Sequence, residues 1–296
     1  MASTLTSCRR PILIAGPTAS GKSALALQLA GERNGIIVNA DSMQVYRELA
    51  VITARPALAE EALAAHALYG HVPASEAYSV ARWIDDVRVV LGDARAAHQT
   101  PIIVGGTGLY FKALMEGLSP VPGIPPEIRE RWRAEAKAQG AVHLHAILSA
   151  RDPSMGARLA PNDAQRVTRA LEVLDATGRS LSHWQAVPGK PLLRLEDIER
   201  RLVMPSREVL YERCDHRFDQ MMAAGALHEV RALGALGLDP SLPAMRAIGV
   251  RPLLRHLAGE IDLDAAVAAG KLETRHYVKR QETWAKRFMI AWSIDT

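Results

Sequence analysis

The sequence predicts an α/β fold: a P-loop core whose parallel sheet is flanked by helices, carrying an all-helical insertion domain. Three observations carry that expectation. First, short apolar runs alternate with helical patterns. Residues 11–16 (PILIAG), 35–41 (GIIVNAD) and 101–106 (PIIVGG) each end in glycine or a small polar residue. Amphipathic segments follow them, such as Leu25 with Leu29 and the stretch 78–97. Strands covered on both faces by crossover helices read this way. Second, the first run breaks into Gly16-x-x-x-x-Gly21-Lys22-Ser23 just before a helix, the strand–turn–helix setting that a phosphate loop requires. Third, the texture changes between Leu118 and about Arg200. Proline-rich hinges at 119–126 (SPVPGIPP) and 188–191 (PGKP) bracket a stretch with only helix patterns.

The expected domains are therefore residues 1–117 with 200–296 as the core, and 118–199 as the insertion. A fourth run, 201–205 (RLVMP), supplies a further strand, and from there the chain is expected to be helical to its end. Inside the insertion, Asn162 and Gln165 form a capping box ahead of Val167, Ala170, Leu171 and Leu174, which share one helical face.

Composition bounds the class. With 48% apolar and 23% charged residues, a packed core is expected rather than disorder. A net charge of +4 permits an anionic partner without requiring one, so the placement of the charges decides. Two cysteines, Cys8 and Cys214, exclude a disulfide framework or zinc finger and fit a reducing compartment. The first ten residues hold no apolar signal core, and no run approaches the ~18 apolar residues of a membrane span. A soluble, cytoplasmic, monomeric protein that engages no membrane is the expectation.

In the loop Gly16, Pro17, Thr18, Ala19, Ser20, Gly21, Lys22 and Ser23, the glycines let successive N–H groups turn inward. The helix that follows adds its positive end, so the loop suits diphosphate or triphosphate oxygens. Lys22 reaches the outer phosphates, and the Ser23 hydroxyl completes a Mg²⁺ shell. The motif leaves open whether those phosphates are a fuel or a leaving group.

The second strand ends in Asp41 and Ser42. Asp41 reads equally as general base, as Mg²⁺-supporting carboxylate, or as a plain helix N-cap. The third ends in Gly105, Gly106 and Thr107, where a nucleotide hydrolase often has Asp; this argues against an ATP-driven motor. Thr107 reads as the N-cap of a helix through Lys112, and the glycines as room for a bulky ligand.

Basic residues are grouped. Arg166 with Arg169, Arg246 with Arg251, and Arg129 with Arg131 and Arg133 form three groups. Arg275, Lys279 and Lys286 lie opposite the aromatic face Tyr277–Trp284–Phe288 in a fourth. Any one of these is an ordinary solvated surface, but together, beside a phosphate loop, they suggest a nucleic-acid track. His66, His71, His143 and His145 lack partners at zinc spacing and read as surface or packing residues.

Taken together, these residues resemble the tRNA dimethylallyltransferase family, in its bacterial form. The matching pieces are GPTASGKS (16–23), NADSMQVY (39–46), IIVGGTGLY (102–110), NDAQRVTRALEV (162–173), SREVLYERCDHRFDQM (206–221), MRAIGV (245–250) and TRHYVKRQETW (274–284). No Cys–His module follows the core, which favours the bacterial type. The resemblance implies transfer of a five-carbon allylic group from dimethylallyl diphosphate to the exocyclic amine of the adenosine 3′ to the tRNA anticodon. The diphosphate is then a leaving group, and no ATP is consumed.

Asp41, Thr107 and Lys22 take catalytic positions, with Mg²⁺ near Ser23 and Arg217 clamping the diphosphate. As nitrogen bonds to carbon the amine becomes strongly acidic, and Asp41 accepts its proton. The same resemblance assigns tRNA contacts to Asp41, Ser42, Met43, Gln44, Thr107 and Arg129. It adds Gln165, Arg166, Val167, Thr168 and Arg169 in the insertion, and Arg246, Ala247, Ile248, Gly249, Val250 and Arg251 beyond it. The target base leaves the anticodon-loop stack to react.

Two departures stand out: Ile52-Thr53-Ala54 where the family has Gly-Thr-Ala, and Val250 with Pro252 where it has IGYRQ. A small-molecule kinase, a nucleotide-switched RNA-binding module and a transferase acting on free adenine nucleotide are the alternatives. Arg166 and Arg169 on the insertion helix speak for a large RNA acceptor.

Overall fold

The computed structural model describes residues 10–295; Cys8 and the rest of the N-terminal stretch read above lie outside them. The chain divides into two compact units, one running to Met115 and resuming at Leu192, the other spanning Glu116–Pro191.

The first unit is built on six parallel strands, β1 (Ile12–Ala15), β2 (Gly35–Asn39), β3 (Ala65–Ala67), β4 (Thr100–Gly105), β5 (Glu199–Val203) and β6 (Ser293–Asp295). Their order is β3-β2-β4-β1-β5-β6. Central β1 pairs Ala15 with Gly105 on one side and with Leu202 on the other. Helices α1 (Lys22–Arg33), α2 (Leu58–Glu61), α3 (Val80–Ala96) and α4 (Gly108–Glu116) lie between the strands.

Alternation along β1 explains the two covered faces. Ile12 and Ile14 pack with Ile37, Ile102, Ala26 and Leu29 on the α1 side. Leu13 and Ala15 pack with Val38, Ile103, Trp83, Phe111 and Trp292 on the other. Burying each of the larger side chains contributes about 1.5–3 kcal/mol.

Four helices form the second unit: α5 (Pro126–Arg151), α6 (Pro153–Arg158), α7 (Ala164–Thr177) and α8 (Leu181–Gln185). Gly140 breaks α5 with φ 81° and ψ 171°. Val167, Ala170 and Leu171 of α7 pack with Trp132, Leu144 and Leu148. The cap of α7 is Asp163, not Asn162: its carboxylate accepts the Arg166 N–H at 3.2 Å and holds the Arg166 guanidinium at 3.1 Å. An ionised acceptor one position later outcompetes the asparagine amide.

The chain returns to the first unit earlier than Arg200. Leu192 and Leu193 both donate N–H bonds to the Leu114 carbonyl, at 2.9 and 3.0 Å, and pack on the sheet. Four more helices follow, α9 (Arg207–Ala223), α10 (Ala226–Ala235), α11 (Val250–Leu257) and α12 (Leu263–Phe288). Phe218, Val230, Val250 and Leu253 bury the loop residues Tyr46, Leu49 and Ile52. The chain is not helical to its end, because β6 adds a sixth strand, with Arg201 on Asp295 at 2.9 Å. Among the described residues no helix is long and apolar enough to cross a membrane.

Candidate active site

The loop between β1 and α1 closes through Gly21, whose φ of 97° is a left-handed turn that a side chain would strain. Lys22 and Ser23 thereby open the helix. Thr18 N–H is engaged by the Gln281 side chain and Ser20 N–H by the Pro17 carbonyl, while Pro17 has no N–H to give. So not every loop amide faces inward. Among the described residues, the amides of Ala19, Gly21, Lys22 and Ser23 have no protein acceptor, and the buried Ser20 hydroxyl has no partner. Unpaired donors at a helix N-terminus form an anion site.

Two cations complete it. Lys22 Nζ donates to the Pro17 carbonyl at 3.0 Å. Burial, then the nearby Arg217 charge, push Lys22 down to about 8, with Asp41 pulling the other way. Arg217, on α9, reaches the Ala54 carbonyl at 3.4 Å, and burial holds its guanidinium below the usual value.

At the end of β2, the fully buried Asn39 fixes the backbone of Asp41. Its side-chain Oδ1 accepts the Asp41 N–H at 2.8 Å, and its Nδ2 donates to the Asp41 and Leu68 carbonyls. No helix follows Asp41, so it caps none. Its Oδ1 accepts Met43 N–H at 2.9 Å in a tight turn, which leaves Oδ2 without a protein partner among the described residues. Thr107 does stand at the N-cap position of α4, its carbonyl accepting the Tyr110 N–H at 2.9 Å, but its hydroxyl accepts the Ser42 N–H at 3.0 Å, stitching the β2 loop to the β4 loop. Gln44 donates to the Thr53 and Ala54 carbonyls, and Glu229 accepts N–H bonds from Ala50, Val51 and Ile52. Ile52, in place of glycine, therefore fits without strain: the position is buried against Phe218 and Val250.

Sequence reasoning missed Asn39 and Gln281. On α12, Gln281 follows Tyr277 by one turn and shares its face with Trp284. A lone amide in an aromatic stripe was the available signal. Besides accepting the Thr18 N–H through Oε1, it donates through Nε2 to the Gly106 carbonyl at 2.9 Å. The space at Gly106 is consequently taken by Gln281, where a ligand was expected: a Cβ there would lie 2.1 Å from Nε2. Beside these groups lies a mainly apolar cavity of about 180 Å³, lined by Gly16, Thr107, Phe111, Tyr277, Trp284 and Met289.

The expected tRNA-contact residues divide by exposure. In the first unit Arg246 and Arg251 face solvent, whereas Ala247, Gly249 and Val250 are buried and Ile248 half-buried. In the helical unit Arg129, Gln165 and Arg166 are exposed and Arg169 partly so. Val167 and Thr168 are buried, because they belong to the apolar stripe of α7, and offer no side chain to a partner. The other arginines of the 129–133 group are ion-paired. Arg131 joins Asp175, and Arg133 and Arg169 flank Glu172 at 3.8 and 3.3 Å. His145 bonds the Gly156 and Leu159 carbonyls, a packing role, and no cluster of three metal-ligating side chains occurs among the described residues.

A parallel sheet with a phosphate-type loop after its central strand, and a carboxylate on the neighbouring rim, defines a P-loop protein with a second reactive group beside the anion site. Comparison with known proteins narrows this. The chain matches the IPP transferase family over residues 44–288 and the isopentenyl transferase family over 10–69. It is 54% identical to the tRNA dimethylallyltransferase of Parvibaculum lavamentivorans, over 96% of this chain and 90% of that protein. It is 53% identical to that of Mesorhizobium japonicum, over 93% and 86%. Among solved structures, the tRNA isopentenylpyrophosphate transferase of Bacillus halodurans superposes with a TM-score of 0.68 at 31% identity, covering 97% of this chain and 89% of that one. A eukaryotic dimethylallyltransferase acting on tRNA gives 0.80 at 30% identity, covering 95% and 71%. The chain belongs to the IPP transferase family.

Proposed function

We propose that this protein transfers the dimethylallyl group of dimethylallyl diphosphate to the exocyclic N6 amine of the adenosine 3′-adjacent to the anticodon in tRNA, releasing diphosphate. The observation that carries it is the unpaired anion site, with the amides of Ala19, Gly21, Lys22 and Ser23 and two half-buried cations, set beside Asp41. Family membership and the named relatives support the same activity, and neither a kinase nor a nucleotide switch is favoured by them.

In this reaction the bond between the allylic carbon and the bridging oxygen breaks, and its electron pair leaves with diphosphate. The amine nitrogen bonds to that carbon and sheds a proton. Free loop amides, Lys22 and Arg217 stabilise the charge that grows on the departing diphosphate, where preorganised donors act most strongly. The free Oδ2 of Asp41 takes the proton, while Asn39 and the Met43 N–H hold the carboxylate in place. Thr107 fixes Ser42 next to Asp41 and so shapes the acceptor side. The apolar cavity beside Thr107 gives the five-carbon group a dry compartment.

Ser23 offers one neutral hydroxyl at the start of α1, and no carboxylate cage surrounds it among the described residues. That donor set fits a Mg²⁺ carried in on phosphate oxygens rather than one caged by protein. A bound Mg²⁺ would neutralise charge on the diphosphate.

For the RNA, Arg246 and Arg251 on the first unit and Arg129, Gln165 and Arg166 on the helical unit, with the half-exposed Arg169, are the candidates. Arginines so placed engage phosphates and give affinity that falls with salt. The adenosine must leave its stack to meet Asp41.

The deciding experiment mixes the protein with unmodified tRNA, dimethylallyl diphosphate and Mg²⁺, digests the RNA and weighs its nucleosides. One prenyl addition to adenosine, without ATP or GTP turnover, is the expected result. Rapid nucleotide hydrolysis with tRNA mass unchanged would overturn the proposal.

A further inference from the structure

The structure assigns Gln281 a positioning role: its buried carboxamide sets the separation between the loop that holds the leaving group and the loop that frames the acceptor amine. The inference rests on the transfer activity proposed above and deepens it.

Group transfer is steep in distance, since the reacting atoms must be held about 3–3.5 Å apart before reaction. Here the two sides come from different strands. β1 and β4 are paired only as far as Ala15 and Gly105, and beyond that point no ladder joins the loops they lead into. Gln281 enters at that place from α12. Its Oε1 accepts the Thr18 N–H at 3.0 Å, and its Nε2 donates to the Gly106 carbonyl at 2.9 Å. One acceptor and one donor fix the orientation, because a flipped amide would set carbonyl against carbonyl and N–H against N–H.

The bridge continues to the reacting groups. Thr107 follows Gly106, its hydroxyl accepts the Ser42 N–H, and Ser42 adjoins Asp41. Gln281 is 9% exposed, and its amide is spent on protein atoms. It holds the Thr18 N–H away from the phosphate donors, so it acts as a spacer rather than as a phosphate ligand. The neighbouring Glu282 pairs with Arg207 at 2.8 Å and anchors the same turn of α12 to α9.

Two variants test this in single-turnover transfer to an anticodon stem-loop RNA, with binding of inorganic diphosphate, RNA binding and melting temperature measured alongside. Gln281→Met removes both bonds at similar volume. Its transfer rate at saturation is expected to fall about 100-fold, with both dissociation constants within about threefold of the parent. Gln281→Glu can donate to the Gly106 carbonyl only when protonated. Its rate relative to the parent is therefore expected to climb as pH falls from about 8 to about 5.5, a dependence that loss of packing alone would not produce.

A Gln281→Met rate within threefold of the parent, or a Gln281→Glu profile parallel to it, overturns the assignment. So does a loss that appears mainly in diphosphate affinity. If Gln281→Met does not fold, the Gln281→Glu profile decides alone. A parent protein that transfers nothing overturns the proposed activity, and this inference with it. An active parent with indifferent variants overturns the inference alone.

Discussion

Lys22 and Arg217 face the same anion site, and burial together with the Arg217 charge holds the Lys22 ammonium down to about 8, from an ordinary 10.5. Two cations in one site, only partly offset by the Asp41 carboxylate, are poised for a polyanion. Between about 8 and 10.5 the unfolded chain binds more protons at Lys22 than the folded one. The stability of the ligand-free protein is therefore expected to rise with pH across that window.

Diphosphate binding should do the reverse. The anion favours charged Lys22, so near pH 8 complex formation is expected to take up protons, and affinity should fall as pH rises further. Calorimetry of dimethylallyl diphosphate binding, whose ester diphosphate is essentially fully ionised near pH 8, in buffers of different ionisation enthalpy measures that uptake. Proton release at pH 8 would contradict the cradle's electrostatics.

Asp41→Asn keeps an oxygen for the Met43 N–H, and so keeps the turn, but cannot take a proton from the amine. The transfer rate is expected to drop about 10²- to 10⁴-fold, while diphosphate still binds. Asp41→Ala loses the turn as well and should abolish transfer. Turnover unchanged in the asparagine variant removes Asp41 from the chemistry.

Arg166 now spends its charge on Asp163 in an exposed pair that adds little to stability, whereas Arg169 pairs with the buried carboxylate of Glu172. Replacing both with alanine is expected to lower the melting temperature, because Glu172 stays buried with only Arg133 near it, and to weaken tRNA binding of the folded protein. The slope of log affinity against log salt should flatten by roughly one per lost phosphate contact. Titrations at several salt concentrations give that slope, and an unaltered slope would exclude these arginines from the RNA surface.

In the helical unit, burial alone would push the Asp175 carboxyl up. Hydrogen bonds from Arg151 and Trp132, with the charges of Arg151 and Arg131, outweigh burial and hold it below the usual carboxylate range. Its stabilisation is therefore present above the ordinary carboxylate pKa and lost as pH falls through the lowered value. Asp175→Ala should cost about 2 kcal/mol near neutral pH and progressively less in acid. Denaturant unfolding at pH 7 and at pH 3 compares the two.

The sheet's central strands were legible because burial on both faces leaves continuous apolar runs, and the phosphate loop because its turn demands glycine at position 21. The edge strands β3 and β6 were not, since three residues carry no readable period. Asp41 was placed on the right rim, but its partner Oδ1 bond and the hold of Asn39 depend on loop geometry that no spacing encodes. Gln281 lies 263 positions from Thr18 in the chain, so only folding reveals that they touch. The basic groups show the opposite failure. Their composition was plain, yet Arg131 and Arg133 proved to be tied to acids of α7, a pairing between helices that linear order conceals.

Where the chain departs for the helical unit and where it comes back, a single carbonyl, that of Leu114, receives both Leu192 and Leu193. The exit and re-entry points are thus already neighbours. Deleting residues 116–191 and joining the ends through a short glycine link would cost the sheet little closure entropy. The catalytic body should survive such surgery as a folded miniature that still grips diphosphate, severed from one of the two sets of arginines proposed to meet RNA.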